Sequence, residues 1–267
     1  MSLKLGPEPE SYTLAARAAT PPAFDYTPDS WGYGDVAVER KRRQGALFVL
    51  LVSTVLLGGV LFVLLRVGGN NLHPVEEGRF YRSAQMNEID LARSIDQLGI
   101  KSVLRLVGTD DSDRESYESE RAVCERKGTR HIVAKMAASR LPWRSELSTL
   151  FAALDELAAR EELLPVLVHC SQGSDRTGLV SVIWLHDYRG KPLSEARGQL
   201  AFVPYMHVSW GEARSMGDFL DRYEAYLSKN PQSRLKIRDW VKLHYFEEKP
   251  GRGPLPWYDG QTYTPSP

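Results

Sequence analysis

The sequence predicts an α/β domain with a central, mostly parallel sheet covered by helices on both faces, three layers in all, preceded by one membrane-spanning helix. Three observations carry this. Short apolar runs alternate with amphipathic helical patterns between Arg79 and Tyr245, the signature of parallel strands joined by crossover helices. One of these runs, ending in Val-Leu-Val-His-Cys, passes through a glycine-containing loop straight into a helical pattern. Finally, Gly45 to Leu65 carries no charge. At 1.5 Å rise per residue it is long enough to cross a hydrocarbon core of about 30 Å.

Residues 1–44 precede that span. Their first part is rich in Pro, Ala, Ser, Thr and Gly and lacks a sustained apolar period, so a disordered tail is expected. The membrane helix is placed at 45–66. A cleaved signal peptide fits poorly, because the preceding segment is long, the apolar run is long, and no Ala-x-Ala site follows. Arg40, Lys41, Arg42 and Arg43 stand just before the span and Arg66 just after it. The positive-inside rule then puts the N-terminus in the cytoplasm and the following domain outside, in the periplasm of a Gram-negative cell. Arg79 and Arg82 follow closely and keep the opposite orientation open.

Residues 67–78 read as a linker and 79–248 as the folded domain. Arg79 to Ser83 is a predicted strand. Asn87 caps a helix through Leu98, with Ile89, Leu91, Ala92, Ile95 and Leu98 on one face and Gly99 in the C′ position. Ser102 to Val107 is a buried strand and Gly108 to Ser112 a polar loop. Arg114 to Lys127 is a charged surface helix stopped by Gly128. His131 to Lys135 is a third strand. Ser145 caps a helix over Glu146 to Arg160, and Pro165 to His169 is the central strand. Thr177 to Tyr188 is the most buried helix. Helices then follow from Pro192 to about Ala201, from Gly217 to Leu227 and from Arg234 to Tyr245. The Pro- and Gly-rich residues 249–267 are expected to be irregular.

Residues 166–178 read Val-Leu-Val-His-Cys-Ser-Gln-Gly-Ser-Asp-Arg-Thr-Gly. A strand, a tight loop and a helix N-terminus make an anion cradle, because loop N–H groups and the positive end of the helix dipole converge on one spot. Arg176 adds a planar, two-pronged donor for phosphate oxygens. The same field favours the thiolate of Cys170, the nucleophilic form.

His-Cys-x5-Arg-Thr resembles the signature of the cysteine-dependent phosphatases, the tyrosine and dual-specificity group. Looser similarity extends over most of 73–247: Pro74 to Gln85 is similar to the opening strands of bacterial dual-specificity-like members, and Gly99-Ile-Lys-Ser-Val-Leu-Arg-Leu to their next core strand. The resemblance implies the three-layer phosphatase fold and chemistry without metal or organic cofactor. It implies that Cys170 attacks phosphorus to form a phosphocysteine and that Arg176 holds the phosphoryl oxygens. Thr177 would hydrogen-bond the sulfur as it leaves, and His169 would orient the loop. Ser171, Gln172, Gly173, Ser174, Asp175 and Arg176 would bind the phosphate.

Hydrolysis also needs a general acid. Many relatives keep an Asp on the loop after the third strand, but here that stretch is Met136-Ala137-Ala138-Ser139-Arg140 and holds no carboxylate. Asp175 is the better candidate, with a mere bracing role as the alternative, and Asp110, Asp111 and Asp113 stand further off. Ser139 and Arg140 are expected at the pocket mouth. Arg82 would stand there too or form a structural ion pair. His207 would position the hydrolytic water or lie on the surface. Cys124 would pack on a helix or form a reversible disulfide with Cys170; these are the only two cysteines, so no disulfide scaffold is present.

With Lys+Arg 34 against Asp+Glu 34, nothing in the charge balance argues for nucleic acid. The substrate stays open between two classes. A loop without Lys suits a monophosphate such as phosphotyrosine in a protein. An envelope location suits a phospholipid, inositide or sugar phosphate, and a phosphate-binding pseudophosphatase is a third possibility. The membrane is the other partner, through residues 45–65.

Overall fold

The computed structural model describes residues 33–68, 70–110 and 112–247. The chain forms two compact units, Met1–Gly59 and Val60–Pro267. The described part of the first belongs to helix α1, Tyr33–Gly68. An 18-residue window within its stretch Val38–Leu61 has a mean hydropathy of 2.1 and none of that window is buried, so the helix is long and apolar enough to cross a membrane. The helix starts at Tyr33, ahead of the expected tail boundary at 44. The charged run before the apolar residues consists of good helix formers, and Arg43 bonds Glu39 one turn back at 3.1 Å. The remainder of the expected tail, and residues 249–267, lie outside the described residues.

The second unit is built on a five-stranded sheet in the order β1-β2-β5-β3-β4. Its strands are β1 (His73–Glu76), β2 (Phe80–Ala84), β3 (Ser102–Arg105), β4 (Arg130–Val133) and β5 (Val166–Cys170). β1 is an antiparallel edge strand on β2, and all other pairings are parallel. β1 falls where the linker was expected. A Pro in its second position suits an edge, where no ladder donor is needed.

Side chains alternate across the sheet with the period of two that strands impose. Phe80, Leu104, Val166, Val168 and Cys170 enter the larger core, with α4 (Arg144–Ala159), α5 (Asp175–Ile183), α7 (Ser215–Lys229) and α8 (Ile237–His244). Tyr81, Val103 and Leu167 enter a smaller core with α2 (Glu88–Leu98) and α3 (Arg114–Lys127). Cys124 belongs to the second core and Cys170 to the first. The sheet separates them, both thiols are free, and the reversible disulfide is ruled out in this fold. Burial pushes the Cys124 thiol up to about 12, with Glu120 and Glu125 adding to the effect.

Most local signals hold. Asn87 Oδ1 accepts from Asp90 N to cap α2, and Gly99 and Gly128 end α2 and α3 in the left-handed conformation, both at φ 64°. Three details differ. Ile89 is 71% exposed rather than on the buried face. α4 starts at Arg144 rather than Glu146, and Glu146 caps it by accepting from Trp143 N at 2.8 Å. The helix after β5 widens into a π-helical segment, Trp184–Tyr188, which stacks Trp184 on Phe80 at 4.7 Å. Beyond a short α6 (Leu193–Ala196) and a 3-10 turn over Arg197–Leu200, an irregular stretch leads to α7.

Candidate active site

β5 is buried along its whole length and ends at Cys170, and α5 starts at Asp175. Ser171 to Ser174 make the turn between them. The turn depends on Gly173, which has φ +72°; a Cβ there would lie 2.5 Å from Ala84 N and 2.6 Å from the Ser83 carbonyl group. Only glycine combines that conformation with so close an approach of β2.

Each carbonyl of the turn is taken up by surrounding protein. Ser171 O accepts from Gln85 N at 3.2 Å. Gln172 O accepts from Asn71 Nδ2 at 3.1 Å. Arg82 Nη2 donates to Gly173 O at 2.7 Å and to Ser174 O at 3.1 Å, and Gly178 N also reaches Ser174 O at 3.0 Å. In a trans peptide the N–H points opposite to its C=O. Carbonyls turned into the protein therefore turn the N–H groups of Gln172, Gly173, Ser174 and Asp175 to the other side. N–H groups so freed beside the start of α5 can form a nest for an oxyanion.

Arg82 is fully buried. Its other arm donates to Gln199 O at 2.7 Å and Gln199 Oε1 at 2.9 Å, and its guanidinium lies 3.9 Å from the Tyr205 ring centroid. No carboxylate pairs with it among the described residues, so neither expectation, pocket mouth or ion pair, describes it. It is a scaffold cation held by carbonyl dipoles, and burial pushes it down to about 10.

Arg176, in the first turn of α5, spans three loops. Nη1 donates to Leu106 O at 3.3 Å and Met136 O at 3.2 Å, and Nη2 to Ser171 Oγ at 3.0 Å. No carboxylate neutralises it among the described residues, and its Nε is buried without a partner. Thr177 is fully buried and its Oγ1 has no hydrogen-bond partner either. Both groups keep donor capacity at the cradle.

Behind the cradle lies a buried polar cluster. Glu120 Oε1 meets His169 Nε2 at 3.0 Å and His131 Nε2 at 2.7 Å, while Glu120 Oε2 accepts from Arg105 Nη1 at 2.8 Å. Arg105 is fully buried and also donates to Gly108 O and Ser116 Oγ. Burial opposes the charge on Glu120, but His169 and His131 outweigh it and hold the carboxyl well below the usual carboxylate range. His169, expected as the residue that orients the loop, is thus held by α3. Sequence reading took α3 for a surface helix. The signal it passed over is Glu120 on the same stripe as Val123 and Cys124, one turn on.

Asp175 Oδ1 lies 2.7 Å from His207 Nδ1. His207 is buried, which overturns its placement on the surface, and the pair can hold a proton between them. The remaining candidates are engaged elsewhere. Arg140 forms a two-pronged pair with Glu146 and lies over Trp143. Asp110 pairs with Lys135, and Asp113 sits at the N-terminus of α3. Ser139 is exposed, and Asp111 lies outside the described residues. No group of three or more His, Cys, Asp and Glu side chains arranged to hold a metal is found among the described residues.

Residues 66–187 match the model of the tyrosine phosphatase family. Among solved structures, TpbA of P. aeruginosa is 22% identical, covering 67% of this chain and 92% of its own, with a TM-score of 0.46. The catalytic domain of the PP-IP phosphatase SIW14 of S. cerevisiae is 19% identical, covering 62% and 96%, with a TM-score of 0.42. A comparison with curated proteins finds no match.

Proposed function

From the match of residues 66–187 to the model of the tyrosine phosphatase family, we propose that the chain is a membrane-anchored phosphomonoester hydrolase working through a phosphocysteine at Cys170. The observation that carries this is the cradle: a loop whose carbonyls are all held by surrounding protein, an Arg176 with no carboxylate partner among the described residues, and the end of β5 meet at one place. Preorganised donors aimed at a transferring phosphoryl group are the main source of rate in this chemistry.

In the first half-reaction the Cys170 thiolate attacks phosphorus. The S–P bond forms, the P–O bond to the leaving group breaks, and the Asp175–His207 pair gives its proton to the leaving oxygen. In the second, water attacks phosphorus and passes a proton back to the pair. The S–P bond breaks, with Thr177 Oγ1 donating to the departing sulfur, and phosphate leaves. Arg176 follows the phosphoryl oxygens throughout, and Glu120 keeps His169 oriented behind the nucleophile.

The family match favours a protein phosphotyrosine or dual-specificity substrate. The chemistry of the walls favours the other class, an alkyl phosphate of the envelope, as argued below. The anchor is Val38–Leu61, and flanking charge favours the N-terminus in the cytoplasm with the hydrolase outside. Purified full-length chain is expected to release phosphate from an aryl phosphate under reducing conditions with chelator present, and Cys170→Ser to release none. Equal release by both would remove the nucleophile assignment.

A further inference from the structure

A cavity of about 410 Å³ opens against the loop, and its lining includes Asn70, Asn71, Gln85, Gln172, Asp175 and Met206. Two of its walls bear on what enters it. One comes directly off α1, which ends at Gly68. Asn71 Nδ2 bonds both Gln172 O in the loop and Tyr205 O at 3.1 Å, and Asn70 O accepts from Ala84 N at the end of β2. The uncharged run stops before Arg66. Even as fully extended chain, Arg66 to Asn70 spans no more than roughly 14 Å. Where α1 crosses a membrane, chain length alone keeps Asn70 within that reach of the end of its apolar run.

The other wall is the stretch between Ala201 and Trp210. Met206 and Val208 face the cavity and His207 reaches Asp175, yet Phe202, Val203 and Trp210 are 52%, 60% and 69% exposed. Exposed aromatic and branched side chains on the same segment that lines a polar cavity are what a segment lying in the head-group layer presents. Among the residues lining the cavity there is no Lys or Arg to meet a second phosphate and no aromatic ring to sandwich an aryl ester. Four amide and two hydroxyl side chains stand there instead, beside the apolar Ala84, Met206 and Val208, and these polar groups suit the ester and hydroxyl oxygens of a polyol.

Resting on the hydrolase reading, we infer that the natural substrate is a lipid phosphomonoester, taken from the membrane surface with the Phe202–Trp210 segment seated among the head groups. The polyol side of the ester occupies the Asn70–Gln172 cavity while the phosphate occupies the cradle.

The test reconstitutes the full chain in phosphatidylcholine vesicles containing phosphatidic acid. Phosphate release is compared with that from glycerol 3-phosphate, which is the same polar ester without acyl chains. A phosphotyrosine peptide and para-nitrophenyl phosphate complete the set. The lipid is expected to turn over at least about tenfold faster than glycerol 3-phosphate. The combined variant Phe202→Ser, Val203→Ser, Trp210→Ser is expected to lose about tenfold on the lipid, in keeping with the dependence of interfacial seating on apolar area, and nothing on para-nitrophenyl phosphate. Since α1 keeps the protein in the bilayer, that loss reports presentation rather than attachment. Equal rates on lipid and glycerol 3-phosphate, a faster phosphopeptide, or an unaffected variant would each overturn the inference while Cys170-dependent aryl phosphate hydrolysis upheld the site. Loss of aryl phosphate hydrolysis in the folded wild type would bring down both.

Discussion

Replacing Glu120 by Gln tests the cluster behind the cradle. Arg105 is fully buried, and the substitution removes its only counter-charge among the described residues, while its bonds to Gly108 O and Ser116 Oγ survive. Removing one partner of a buried pair destabilises by about 3–5 kcal/mol. Gln keeps one acceptor, which places the expected loss near the lower end, about 3 kcal/mol. For a domain of this size each kcal/mol lowers Tm by roughly 2–4 °C, so a fall of roughly 6–12 °C is expected. The pH dependence supplies an internal check. Glu120 has its carboxyl depressed in the fold, so its contribution is complete above the ordinary glutamate range, near 4.3, and is lost as pH falls toward the folded value. The gap between wild type and variant should be widest at neutral pH and should narrow with acid. Denaturant unfolding of both proteins from pH 7 down to pH 3 measures it. A gap under about 1 kcal/mol at pH 7, or one constant down the series, would show that Arg105 does not depend on Glu120 and would refute the argument.

Other expectations concern the site itself. Gly173→Ala must accept a left-handed conformation and push β2 away from a contact of 2.5 Å; displacement of this order is expected to lower kcat/KM by about two orders of magnitude, measured on an aryl phosphate with folding checked by circular dichroism. Asp175→Asn should cut the rate by roughly 10²–10⁴-fold on alkyl phosphates and hardly at all on esters with good leaving groups, and His207→Ala should follow the same leaving-group pattern. Equal losses on both ester types would remove the proton-transfer role. Cys124 sits in the opposite core with its thiol pushed up to about 12, so Cys124→Ser should leave peroxide inactivation unchanged, and only Cys170 should be trapped by a thiol reagent in the folded chain.

The parts of this molecule legible in its sequence are those governed by local rules. Apolar periodicity found every parallel strand, Gly99 and Gly128 marked the ends of α2 and α3, and the strand–loop–helix passage around Cys170 stands where its pattern places it. What stayed hidden depends on long-range pairing. Arg82 and Gln199 stand far apart in sequence and meet only once β2 lies beside β5. Glu120 looked like one more charge on a charged helix, because burial on α3 depends on which face docks on the sheet. β1 carries no strand signal, because an edge strand needs neither alternation nor apolar bulk. His207 sits in a stretch without helical or strand pattern, and only the fold brings it to Asp175.

The carbonyls of Ser171, Gln172, Gly173 and Ser174 are all held by neighbours before any ligand arrives. A cradle so fixed binds phosphate without first having to be ordered, and it does not distinguish whose phosphate it is. The inorganic phosphate released at the end of each cycle meets the same donors as the incoming ester. Product inhibition is thus built into the rigidity that makes the loop fast. What gives an ester its advantage over free phosphate is the rest of the molecule: the contacts its alcohol makes beyond the cradle. Turnover is then set by the balance between the level of ester and the ambient level of phosphate.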